Sequence, residues 1–174
     1  MTRWDIVFAG VGGQGLLSCG NLLGEAATVH CGLNAAMVAS YGVETRGTFT
    51  KADLIISEEE IDFPEVEHPR LVLCLHPVAY ERYVSSVGED VTLIYDSSLV
   101  TPGPSRAAQF GYPISETAEK AGSLTSANIL AIGILIGKFG LLPESAVEAV
   151  IAGSRPKAAA RNLALFRQGV EMAK

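Results

Sequence analysis

The apolar positions follow two rhythms, short unbroken runs and longer segments with helical spacing, and these alternate along the chain. Residues 5–10 (DIVFAG) form an apolar run closed by glycine, as expected of a strand buried on both faces of a parallel sheet. Residues 14–30 predict a helix, with Leu16, Leu17, Leu22, Leu23 and Ala26 as its apolar contacts. Further strands are predicted at 34–39 (the least marked), 48–57, 71–75 and 91–95, with a short one at 109–112. Pro77 sits where a helix can start, because the first helical turn tolerates a missing N–H. From Ser115 onward the pattern is helical, in segments at 115–121, 126–139, 143–152 and 156–173. In the last of these, Leu163, Phe166 and Val170 recur at spacings of three and four and give one apolar face. Strands alternating with helices predict an α/β, Rossmann-like three-layer fold, with a mostly parallel sheet covered on both faces and a helical C-terminal region. No internal repeat, low-complexity tract or long linker divides the chain, so residues 1–174 are read as one domain.

Composition narrows the partners. Hydrophobic residues make up 48% of the chain and charged residues 18%, enough for a large core with apolar surface left over for other subunits. A net charge of −6 with scattered basic residues argues against nucleic acid, whose phosphates need clustered Lys and Arg. The nearest approach to a basic cluster, Arg155, Lys157, Arg161 and Arg167, is read as a solvated helix face. Cys19, Cys31 and Cys74 lie far apart, as reduced, mostly buried thiols would. An iron–sulfur cluster takes about four thiolates, so this chain cannot hold one alone, and its three dispersed histidines make no zinc site. No signal peptide is read at the N-terminus, and residues 127–137, the longest apolar stretch, are too short to span a hydrocarbon core of about 30 Å. A cytoplasmic location without membrane contact is expected.

Residues 10–15 read Gly10-Val11-Gly12-Gly13-Gln14-Gly15, a G-x-G-x-x-G placed directly after a strand and opening a helix. In that position backbone N–H groups can approach a phosphate at the positive end of the helix. The bland alternative is that the glycines only let strand and helix pack closely. The acidic residue that usually holds a nicotinamide cofactor's ribose, about 20 residues further on, is missing from 33–38. Glu25 falls too early, inside the helix, and Glu44 too late, so an ordinary NAD site is not expected. The absence of a Lys-Ser/Thr pair after the loop excludes a Walker-type NTPase.

A second motif, Ser40-Tyr41-Gly42-Val43-Glu44-Thr45-Arg46-Gly47, follows at 40–47. The two motifs at this separation resemble the gamma subunit of the 2-oxoacid:ferredoxin oxidoreductases, of the 2-oxoglutarate, pyruvate, ketoisovalerate and indolepyruvate types. Asn128 and residues 162–169 (NLALFRQG) extend the likeness over essentially the whole chain. Many relatives carry Arg-Gly-Gly where this chain has Arg46-Gly47-Thr48, which weakens any assignment of substrate subclass. The resemblance implies a subunit that is inactive alone, within a complex that oxidatively decarboxylates a 2-oxoacid with coenzyme A. The products are an acyl-CoA, carbon dioxide and reduced ferredoxin. It also implies that thiamine diphosphate, magnesium and iron–sulfur clusters reside in thiamine-binding and ferredoxin-like partner subunits. The alternatives are a free-standing nucleotide-binding module and a purely architectural subunit. A homodimer is a reasonable state for the isolated chain.

Candidate cofactor-binding residues are therefore Gly10, Gly12, Gly13, Gln14 and Gly15, with Gln14 either donating to a ligand or capping the loop. Ser40, Tyr41, Gly42, Glu44, Arg46 and Gly47 are candidates for an interface or a substrate-facing turn. There the planar guanidinium of Arg46 would suit an anionic group. His76 and Asp96 end strands at the edge where open α/β sheets bind ligands, but a lone histidine before Pro77 is more often a packed turn residue, and an acid such as Asp96 often just caps a turn. Asn128, in an otherwise apolar helix, needs hydrogen-bond partners and could pin a neighbouring loop. No catalytic acid, base, nucleophile or metal ligand is assigned.

Overall fold

The computed structural model describes residues 2–40, 48–154 and 156–174. Six strands, β1 (Arg3–Val11), β2 (Asn34–Ser40), β3 (Phe49–Ser57), β4 (Leu71–Cys74), β5 (Thr92–Asp96) and β6 (Ala108–Tyr112), form one sheet in the order β2-β3-β1-β4-β5-β6. β4, β5 and β6 continue parallel to β1. The expected parallel character is broken at β3, which pairs antiparallel with both β1 and β2 over long, unbroken registers. The sheet is thus mixed, with β3 as its one reversed strand. A short connection after β2 brings the chain back antiparallel, whereas a parallel return would need a crossover of a dozen residues or more.

β1 and β4 carry apolar side chains on both faces because both faces are covered. Ile6, Phe8, Leu71 and Leu73 belong to one core, and Val7, Ala9, Val72 and Cys74 to the other. The first core is the larger. It is closed by α1 (Leu16–Glu25), α3 (Ile114–Lys120), α4 (Ala127–Phe139), α5 (Glu144–Ser154) and α6 (Pro156–Ala173). The second core is closed by α2 (Pro77–Val84), through Ala79 and Tyr80, and by connecting segments that contribute Val66, Val100 and Ala107.

α4 is buried continuously from Asn128 to Ile136, so it reads as apolar all round rather than amphipathic. It lies against α6 so closely that a Cβ on Gly133 would overlap the Phe166 carbonyl, and one on Gly169 the Leu130 carbonyl. α6 instead has one buried stripe, Leu165, Phe166, Gly169 and Val170, with Leu163 packing partly buried alongside. The predicted helix over 14–30 begins two residues later, at Leu16, and its last five residues, Ala26–His30, widen into a π turn. Gly32 (φ +64°) then reverses the chain into β2.

Candidate functional site

β1 delivers the glycine loop to the C-terminal edge of the sheet. The loop lies where the chain, having added β2 and β3 on one side of β1, crosses to β4 on the other. Open α/β sheets bind ligands in the crevice at such a switch point. Gly13 (φ +90°) and Gly15 (φ +74°) adopt left-handed backbone that suits glycine, and the loop hands over directly to the first turn of α1. A Cβ placed on Gly12 or Gly13 would meet no atom within 4 Å, so the space above the loop is open. Close strand–helix packing therefore accounts for Gly10 and Gly15 but not for Gly12 and Gly13. A Cβ on Gly10 would collide with the Gln14 side chain, and one on Gly15 with the Asn128 amide.

Both ends of the Gln14 amide bind protein. Oε1 accepts from the Val11 N–H at 2.9 Å, and Nε2 donates to the Leu75 carbonyl at 2.8 Å. Gln14 thus ties the end of β1 to the segment after β4, across the crevice. Asn128, nearly buried at the head of α4, donates to the Gly15 carbonyl at 3.2 Å. Loop and helical region are fixed to each other through that bond, as the sequence allowed. His76 and Asp96 are caps. The His76 Nδ1 accepts from the Val78 N–H at 3.2 Å at the start of α2. Asp96, fully buried, accepts from the backbone N–H groups of Ser98, Ile114 and Ser115 at 3.0 Å each and from the Ser115 hydroxyl.

Three clefts radiate from the loop. The first, about 450 Å³, runs past Leu75, Leu99, Ser115 and Leu124 toward the ends of β4 and β5 and is mainly apolar. The second, about 320 Å³, lies between the loop, Leu16 and Leu17 of α1, and the Ala39 and Thr50 ends of β2 and β3. Lys51 borders it, but the ammonium pairs with the buried Asp53 carboxylate at 3.1 Å from both oxygens. Asp53 also accepts from the Val66 N–H, so this pair belongs to the α2 side of the sheet. The third, about 290 Å³, is polar and runs along α1 between Ser18, Asn21 and Glu25 on one wall and Thr125, Asn128 and Asn162 on the other.

Ser40 is the exposed last residue of β2, in register with Lys51. Tyr41, Gly42, Glu44, Arg46 and Gly47 lie outside the described residues. Leu99, Ser115, Leu124 and Thr125 went unnoticed in the sequence because they join the loop from segments far along the chain. Only the rule that strand ends converge on one edge could have drawn attention to them. Cys19 and Cys74 are buried in opposite cores, where desolvation pushes each thiol up to about 12, so neither is a nucleophile or a thiolate ligand. Burial, reinforced by Asp53 and Cys74, likewise pushes the Tyr83 hydroxyl up to about 12. Among the described residues no group of three or more His, Cys, Asp or Glu side chains could hold a metal ion, and no helix is long and apolar enough to cross a membrane.

Fold and loop define the class: a Rossmann-like α/β chain with its glycine loop open at the C-terminal edge of the sheet. The family model for pyruvate ferredoxin/flavodoxin oxidoreductase matches residues 5–172. The 2-oxoglutarate synthase subunit KorC of Archaeoglobus fulgidus is 41% identical, over 97% of this chain and 87% of its own. Its counterpart from Methanocaldococcus jannaschii is 33% identical over 99% and 95%. The crystal structure of the gamma subunit of a keto/oxoacid ferredoxin oxidoreductase from Geobacter sulfurreducens superposes with a TM-score of 0.85 at 31% identity, covering 98% of both chains. A 2-oxoglutarate:ferredoxin oxidoreductase from Magnetococcus marinus, with 2-oxoglutarate, coenzyme A and succinyl-CoA bound, shares the fold. Its TM-score is 0.88 at 23% identity, over 99% of this chain and 31% of that one. The chain belongs to the pyruvate ferredoxin/flavodoxin oxidoreductase family, as a gamma-type subunit of a 2-oxoacid:ferredoxin oxidoreductase complex.

Proposed function

We propose that this chain holds the phosphate-bearing end of coenzyme A at the glycine loop, within a complex that oxidatively decarboxylates 2-oxoglutarate. The observation that carries the loop's role is the open space over Gly12 and Gly13 at the head of α1, at the switch point of the sheet. The first turn of a helix has N–H groups with no intrahelical partner, α1 has no side-chain cap, and the positive end of this ten-residue helix favours an anion there. The apolar cleft past Leu75, Leu99 and Leu124 gives an uncharged arm a path from the loop along the ends of β4 and β5. Identity to the Archaeoglobus and Methanocaldococcus 2-oxoglutarate synthase subunits, over nearly the full chain, supports 2-oxoglutarate as the oxoacid.

In this reading, partner subunits supply thiamine diphosphate, magnesium and the iron–sulfur clusters, and the electrons leave to ferredoxin. This chain contributes no group to bond making. It positions a cofactor and closes one side of the reaction chamber.

The test is steady-state kinetics on the assembled complex, purified without oxygen, with viologen as acceptor. Gly12→Val should raise KM for coenzyme A by about tenfold or more, the loss expected when a bulky group displaces a charge-assisted phosphate contact. KM for 2-oxoglutarate should stay unchanged. Unaltered coenzyme A kinetics would remove the loop from cofactor binding and leave it an architectural feature. A complex that turned over pyruvate or a branched-chain 2-oxoacid in preference would overturn the substrate.

A further inference from the structure

The sheet ends in two strands, β2 and β6, whose outer sides pair with no described strand, and the two edges are not alike. Unpaired edges recruit further strands, and proteins blunt them with charge, proline or bulges. β6 has five residues, and the Lys138 ammonium lies 3.6 Å over the ring of its Phe110. β2 has no such device. Its seven residues, Asn34 to Ser40, include no charge and no proline. Its register with β3 runs unbroken over that length, so no bulge turns the edge away.

One face of β2 also lacks a core. Ala35 and Met37 turn toward α1, where Met37 packs against Gly20, and both join the larger core. Ala36 and Val38 turn to the opposite side, level with Ile55 and Asp53 of β3. They are partly exposed and belong to neither core. α2 covers that side of the sheet over β1, β3 and β4. On β2 an unpaired backbone edge and an unpacked apolar row therefore coincide.

The sequence of β2 selects its own copy as the neighbour. Antiparallel pairing about a two-fold axis at Met37 sets Asn34 against Ser40, Ala35 against Ala39 and Ala36 against Val38. Every pair matches in polarity, no charges are brought together, and the whole strand is used. On the uncovered side, Ala36 and Val38 of one copy meet Val38 and Ala36 of the other and bury as one apolar row. We infer that this chain pairs with a second copy of itself through β2, joining the two sheets edge to edge. β2 runs parallel to β1, since both are antiparallel to β3, so the two glycine loops lie at opposite ends of the joined sheet. The pairing leaves both crevices open to other subunits, and it holds whether or not the loop binds coenzyme A.

Sedimentation equilibrium of the full chain at micromolar concentration should give twice the mass of one chain. Ala36→Lys/Val38→Lys sets lysines directly opposite lysines across the axis and should weaken self-association by about tenfold or more. Circular dichroism checks that this variant keeps the fold. A second test does not depend on it. Met37→Cys in a Cys31→Ser background puts one thiol at the axis, and a short bismaleimide should join two copies through residue 37. Phe110→Cys, on the other edge and in the same background, should give no such link. The assembled complex carrying the Met37→Cys chain should yield the same chain joined to itself. A wild-type chain that sediments as a monomer, or a dimer indifferent to the lysines, would overturn the inference. So would a link from residue 37 to a different subunit, which would mean that a partner's strand covers the edge.

Discussion

At the scale of single residues, the loop is held by side chains that spend their polarity on the protein. Gln14 bridges Val11 and Leu75, so its removal unties β1 from the segment after β4. Gln14→Ala should cost about 1–2 kcal/mol of stability, from two part-buried hydrogen bonds, and urea unfolding of the purified chain measures it. Asp96 is the costlier loss. Its carboxylate satisfies three backbone N–H groups and a hydroxyl from inside the protein, and Asp96→Ala leaves those donors unpaired. A loss of about 3 kcal/mol or more is expected, read by the same unfolding curve, and a value near zero would contradict the capping role. The thiols set an alkaline limit. Cys19 and Cys74 titrate near 9 when exposed and near 12 when folded, so their contribution is intact below pH 9. Between pH 9 and 12 the unfolded chain has released protons that the folded chain retains, and stability falls across that window as pH rises. Iodoacetamide at pH 8 should accordingly alkylate Cys31 and spare the other two, a pattern peptide mass mapping resolves.

At the scale of elements, the α4–α6 contact is the most exacting. Gly133 and Gly169 let the two backbones meet where any side chain would overlap a carbonyl. Gly133→Ala should separate the helices and cost about 1–3 kcal/mol, seen as a lower Tm, even though alanine is the better helix former. No periodicity argument could reveal this, because glycine inside an apolar helix reads only as a weak spot. The elements themselves were legible. Runs such as 71–75 and 91–95 are apolar because both sides of the sheet are covered, and that burial is written directly into composition. The reversal of β3 was not, since Thr48 to Ser57 would read the same in either direction. Nor was the π turn at Ala26–His30, where the helical spacing simply continues. Of the site, the glycine loop was readable because positive φ and close approach demand glycine. Its walls were hidden, because Leu99, Ser115 and Leu124 acquire meaning only when separate strands end on one edge.

At the scale of the molecule, the proposed function has the redox chemistry completed outside this chain. Electron transfer to ferredoxin needs a redox centre, and an iron–sulfur cluster takes about four thiolates at mutually close positions. This chain has three cysteines. Cys19, on the buried face of α1, lies on one side of the sheet and Cys74 in β4 packs on the other, so the sheet itself keeps the two from sharing a metal. Unfolding would be required to bring them together. The isolated chain should therefore acquire no iron–sulfur absorbance after anaerobic incubation with iron and sulfide, and should reduce no viologen with 2-oxoglutarate and coenzyme A. Addition of the partner subunits should restore turnover. A cluster assembled on the folded chain alone, stable to gel filtration, would contradict this division of labour. It would require a thiolate at a position where burial now holds the proton.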